Sequence, residues 1–232
     1  KYSKKMNGIY LILLLIAAAS WFVSFTLKRR FKEYSLLPIN LTGKEVAEKM
    51  LHDNGITDVK VISVAGELTD PYNPADKTVN LSDWVYAQAN VAAAAVAAHE
   101  CGHAVQHARA YTWLGFRSKL VPVVNFSSKI VQWIILGGLL LAYRGNTTLL
   151  LIGVILFSLT TLFTFVTLPV EFDASARALK WLDASGIMPS QQHEKAKNAL
   201  KWAALTYVVA ALGSLITLLY YISILAGARR RD

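Results

Sequence analysis

Val91-Ala-Ala-Ala-Ala-Val-Ala-Ala-His-Glu-Cys-Gly-His-Ala-Val-Gln-His107 is the stretch from which the rest of the chain is read. Its opening residues, 91–98, are a nearly all-apolar helix former, and the helix continues into the pattern His-Glu-x-x-His at 99–103. Residues four apart lie one above the other on a helix face, so His99 and His103 can aim their imidazoles at one ion. Two imidazoles on one helix suit Zn²⁺. The adjacent Glu100 carboxylate is placed to take a proton from a water that the metal has acidified. A pair of hydrogen-bonded core histidines is the other reading, since buried histidines on such a helix must be paired or ligated. Cys101, two residues from each histidine, points off their face and reads as a small packing residue.

A metal held this way needs a further protein ligand, and two residues are candidates. His107 continues the same face, but an unbroken helix carries it roughly 6 Å beyond His103. Val105 and Gln106 favour continuation, and the glycine that would turn the chain back is missing. The second candidate is Glu171, in Leu168-Pro-Val-Glu-Phe-Asp-Ala-Ser-Ala-Arg-Ala-Leu179. Pro169 suits the first position of a helix, which would put Glu171 in the first turn of a helix ending at Gly186. Glu171 is preferred.

His99-Glu-Cys-Gly-His103, the later Leu168-Pro-Val-Glu-Phe-Asp-Ala-Ser175 and the apolar segments around them resemble the neutral zinc metallopeptidases of the YugP-like membrane family. More distantly they are similar to the HtpX-type and CAAX-prenyl membrane zinc proteases. The resemblance runs from the Asn40 region to the C-terminal Tyr-Tyr segment. It implies His99 and His103 as ligands, Glu100 as general base, and Glu171 as third ligand in a gluzincin-like set. The distant relatives place an aspartate four residues after the ligand glutamate, where this chain has Ser175; Asp173 is the other residue that could contact a ligand histidine there.

The composition points to a membrane. Of 232 residues, 54% are hydrophobic and only 17% charged, unlike a soluble globule. Gly8-Ile-Tyr-Leu-Ile-Leu-Leu-Leu-Ile-Ala-Ala-Ala-Ser-Trp-Phe-Val-Ser-Phe-Thr-Leu27 is uncharged and long enough to cross a bilayer. It is closed by Lys28-Arg-Arg30 where a signal peptide would have small residues, so an uncleaved anchor is expected. Further spans are expected at about 122–143, 147–168 and 203–225, the middle two forming an antiparallel hairpin around Tyr143-Arg-Gly-Asn146. The first of these accommodates Pro122. The expected fold is therefore mainly α, a multi-pass helical membrane protein of about four spans forming one membrane-embedded domain over 1–232. A small α+β, zincin-like extramembrane portion, 28–120 and 169–202, carries the His-Glu-x-x-His helix.

Within that portion Thr42-Gly-Lys-Glu45 reads as a capping box opening a helix that Gly55 stops. Residues 59–64 have strand character, 66–76 are dense in turn formers, and 77–81 return as a second strand. That strand is a candidate edge for an extended substrate backbone, or else half of a small structural hairpin. The single cysteine excludes an internal disulfide. The net charge of +9 sits at the ends of apolar runs, which fits a bilayer partner and argues against nucleic acid.

Two crossings separate His103 from Glu171, so both fall on one side of the membrane. Basic residues flank that side at 28–32, Lys119, Arg177, Lys180, Lys195, Lys197 and Lys201. Lys1, Lys4, Lys5, Arg144 and 229–231 flank the other. The positive-inside rule then gives a cytoplasmic site in the cell membrane, with both termini outside. The function expected is a membrane-embedded zinc metalloendopeptidase acting on protein or peptide substrates, membrane proteins among them. Zn²⁺ on His99, His103 and Glu171 would leave one position for water, and Glu100 would pass the proton to the leaving amine. His107, Arg177 and Tyr86 are candidate oxyanion donors. An inactive metal-binding scaffold or chaperone is the alternative. A divalent-ion transporter would need histidines and acids inside the spans, which contain none.

Overall fold

In the computed structural model residues 2–66 and 71–228 are described, with side chains from residue 10 onward. Lys1, the 67–70 part of the turn-rich stretch and the 229–231 basic cluster lie outside the described residues. The elements are α1 (Tyr2–Tyr34), α2 (Gly43–Asp53), β1 (Lys60–Val64), β2 (Tyr72–Asn73), β3 (Thr78–Ser82), α3 (Asp83–Ala87), α4 (Val91–Ala108), α5 (Thr112–Ala142), α6 (Thr148–Ser185) and α7 (Ser190–Ala228). Four of them, α1 counted from Tyr10 together with α5, α6 and α7, are long and apolar enough to cross a membrane. The protein is a multi-pass helical membrane protein with a small sheet.

The chain divides into two compact units, a helical one (Lys1–Phe22, Gly115–Leu168, Thr206–Asp232) and a mixed one (Val23–Leu114, Pro169–Leu205). In the helical unit α5 and α6 form the expected hairpin. The Asn146 side chain accepts a hydrogen bond from the Thr148 N–H at 3.1 Å, which caps the start of α6. A Cβ on Gly138 would lie 2.6 Å from the Leu150 backbone, so the two helices touch main chain to main chain there. Thr161 and Ser214 share a 2.7 Å hydroxyl bond between α6 and α7, satisfying both in an apolar setting. Leu14, Phe126, Trp133 and Leu140 are exposed, as lipid-facing side chains are.

The mixed unit is built on small residues. Thr42 Oγ1 accepts from the Glu45 N–H while Glu45 Oε2 accepts from the Thr42 N–H at 2.7 Å, so the capping box is formed. Gly55, at φ +73°, ends α2 in the left-handed region that favours glycine. The buried face of α2, Val46, Ala47, Met50 and Leu51, packs in one core with the alanines of α4. Those alanines, 92–95, 97 and 98, are fully buried. Asn90 caps α4 by accepting from the Ala93 N–H at 2.9 Å. Cys101 is a buried packing residue, with its thiol directed at the Ala47 carbonyl 3.5 Å away.

Three local expectations are corrected. The two longer strands do not form a hairpin: β1 and β3 run parallel, Lys60 opposite Thr78 through Val64 opposite Ser82. Parallel neighbours need a long crossover, and the turn-rich stretch supplies one that contributes β2, antiparallel to β3 with Tyr72 opposite Val79. The order is β1-β3-β2, so β3 is central and its Val79 and Leu81 are buried; the edges are β1 and β2. Pro169 does not open a helix but lies inside α6, whose helical register continues to Ser185. Proline removes one N–H and leaves a carbonyl of the preceding turn without its donor, a loss long apolar helices tolerate. Residues 190–201 and the last apolar run form one helix, α7.

Candidate metal centre

Two helices of the mixed unit supply the site. On α4 the i, i+4 spacing stacks His99 and His103, with ring centroids 4.9 Å apart and planes nearly perpendicular at 83°. From α6 comes Glu171, whose Oε2 lies 3.2 Å from His99 Nε2 and 3.6 Å from His103 Nε2. One ligand atom from each of the three falls within 4.8 Å of the others. Gly102 permits this approach, because a Cβ there would sit 2.4 Å from the Ala174 carbonyl oxygen. Only a residue without a side chain lets α4 lie this close to α6.

All three groups are withdrawn from solvent, with side-chain exposures of 14%, 9% and 3% for His99, His103 and Glu171. Two imidazole nitrogens and a carboxylate oxygen, converging and buried, are a donor set that fits Zn²⁺. Burial disfavours the His103 imidazolium, yet the facing Glu171 and Glu100 carboxylates hold its pKa above the ordinary value. The same groups therefore attract a cation.

Glu100 lies beside the cluster. Its Oε2 accepts the Tyr72 N–H of β2 at 3.0 Å. Burial raises its carboxyl pKa, and the His99 and His103 rings and the Tyr72 N–H offset only part of that rise. Tyr72 also reaches His107, hydroxyl to Nδ1 at 2.7 Å, so His107 is engaged by β2 and stands apart from the three-residue cluster.

The outer nitrogens of the two histidines have different partners. Ser175 Oγ lies 3.1 Å from His99 Nδ1. Gln106 Oε1 lies 3.0 Å from His103 Nδ1. Asp173 contacts neither histidine; its Oδ2 accepts from Gln106 Nε2 at 2.8 Å and from Arg177 Nε at 2.5 Å. Arg177 also lies over the Tyr111 ring, 5.7 Å from its centroid. Tyr86 is on α3 with the Lys44 ammonium 5.6 Å from its ring centre.

Tyr72 and Gln106 are the site residues that sequence reading overlooked. Gln106 carried a signal, standing three residues after His103 on the same helix face. Tyr72 carried none, since its position depends on the unforeseen strand order.

A family model described as "Putative neutral zinc metallopeptidase" matches residues 9–226. The chain is 42% identical over 222 residues to "Putative membrane protease YugP" of Bacillus subtilis (strain 168), a match covering 94% of this chain and 97% of that relative. No solved structure matches.

Proposed function

The chain belongs to the neutral zinc metallopeptidase family, and on that premise we propose that it is a membrane-embedded zinc metalloendopeptidase of gluzincin-like type, with Glu100 as its general base. The observation that carries the reading is the convergence of His99, His103 and Glu171 from two helices, with Glu100 alongside. His99, His103 and Glu171 would hold the ion. Bound Zn²⁺ supplies Lewis-acid polarisation of the scissile carbonyl and lowers the pKa of water. Glu100 takes the water proton on its carboxylate, oriented by the Tyr72 N–H at Oε2, and hands it to the leaving amine nitrogen. The Tyr72 backbone holds this base while the Tyr72 hydroxyl and His107 form a second polar pair beside it.

Substrates would be proteins or peptides, membrane proteins among them, and the bilayer is the other partner. Basic residues flanking the spans on the His103 side support a cytoplasmic site under the positive-inside rule. The deciding experiment measures zinc content and unfolded-casein cleavage on the detergent-solubilised protein. Glu100→Gln should keep zinc and lose cleavage by about 10²-fold or more. Glu171→Ala should lose both. A parent that holds zinc but cuts nothing would favour a metal-binding scaffold, and full zinc retention in Glu171→Ala would reject Glu171 as a ligand.

A further inference from the structure

Gln106 is fully buried, and every polar atom of its amide has a partner. Its Nε2 lies 2.7 Å from the Val170 carbonyl oxygen and 2.8 Å from Asp173 Oδ2. Both are acceptors. A backbone carbonyl never donates, and the Asp173 oxygen is paired with the Arg177 guanidinium. The two hydrogens of the amide nitrogen are thus both committed, which fixes which end of the amide faces His103. Flipping it would set the amide oxygen against two other oxygens.

The end that faces His103 Nδ1 is therefore Oε1, at 3.0 Å, an atom that can only accept. Nδ1 must then carry the hydrogen. A neutral imidazole has one N–H, so the lone pair resides on Nε2, the nitrogen directed at Glu171. We propose that Gln106, anchored by Val170, Asp173 and Arg177, is a positioning residue that locks His103 in its Nδ1–H tautomer and so presents Nε2 as a preformed metal donor.

His99 is held differently. The Ser175 hydroxyl facing its Nδ1 can donate or accept, so it orients the ring without choosing a tautomer. The two histidines are unequal, one preset by a chain of fixed donors and acceptors and the other free to adjust. The tautomer stands on the hydrogen bonds alone; its consequence for zinc rests on the metal reading above.

The test uses the full-length protein in detergent, ¹⁵N-labelled at histidine, freed of metal and held at a pH high enough for His103 to be neutral. Long-range ¹H–¹⁵N spectra distinguish a protonated from an unprotonated ring nitrogen, and His103→Gln identifies the resonance. The parent should show His103 with Nδ1 protonated, and Gln106→Leu should release it to a mixture. Zinc affinity, read by competition with a chromophoric chelator, should fall about 10–100-fold in Gln106→Leu.

Gln106→Met, of similar volume and with no acceptor for Nδ1, should release the tautomer and weaken zinc in the same way, and it carries the test if Gln106→Leu does not fold. An Nε2–H tautomer in the parent, or a His103 that stays in the Nδ1–H form in Gln106→Leu or Gln106→Met, overturns the proposal. A parent that binds no zinc overturns the metal reading instead, and the tautomer measurement still decides Gln106.

Discussion

Gly102 and Gly138 solve one packing problem in two solvents. Each lets a helix meet α6 main chain to main chain: Gly102 of α4 against the Ala174 carbonyl in the mixed unit, Gly138 of α5 against Leu150 in the helical unit. Around Gly138 the neighbours are apolar, Ile135, Leu139, Leu150 and Val154, and the contact does nothing but pack. Around Gly102 stand His99, His103 and, across the gap, Glu171 and Ser175. Close approach is thus a general device of the chain. What turns one instance into a site is that polar groups flanking the contact are paired so completely that they can be buried.

The sharpest way to break the comparison is Gly102→Ala. Its Cβ would meet a backbone oxygen at 2.4 Å, so α4 and α6 must part. The expected result is a loss of about 1–3 kcal/mol, as for overpacked cores, together with loss of bound zinc, read by thermal unfolding and metal analysis. Gly138→Ala meets the Leu150 backbone at 2.6 Å and should destabilise to a similar or smaller degree, while zinc per folded molecule stays at the parent value. Loss of zinc there would show that the two contacts are not independent.

Tyr72→Phe removes the hydroxyl bonded to His107 and spares the main-chain N–H on Glu100. It should cost about 0.5–1.5 kcal/mol, with cleavage reduced far less than in Glu100→Gln. Gly115→Ala is the control. A Cβ there meets nothing within 4 Å, and the position is helical, so unfolding should shift upward by about 0.5–1 kcal/mol.

Local features were legible in the sequence wherever the chemistry was local. The stacking of His99 on His103 follows from helix geometry, the capping box from Thr42 and Glu45, and the left-handed stops from Gly55 and Gly186. The apolar runs announced the long helices. What stayed hidden depends on partners distant in the chain. Alternation in 59–64 and 77–81 says that strands form but not that they run parallel, nor that Tyr72 is drawn between β3 and Glu100. Pro169 reads as a helix start because proline is favoured there, and the apolar turns before it outweigh that preference. Where the distant relatives have aspartate, Ser175 makes the contact to His99 itself. Gln106 takes the corresponding place beside His103, leaving Asp173 one step further out.

His99 and Glu171 are 72 residues apart in the chain, and between them lie all of α5 and the apolar part of α6. That separation has a meaning in time. A chain emerging from the ribosome completes its histidine pair, with Glu100 beside it, long before the carboxylate that faces them exists. The intervening residues form a membrane hairpin, so a chain arrested anywhere within it carries the motif without the site. The three-residue cluster therefore cannot assemble until the hairpin has been made, and it is a late product of synthesis.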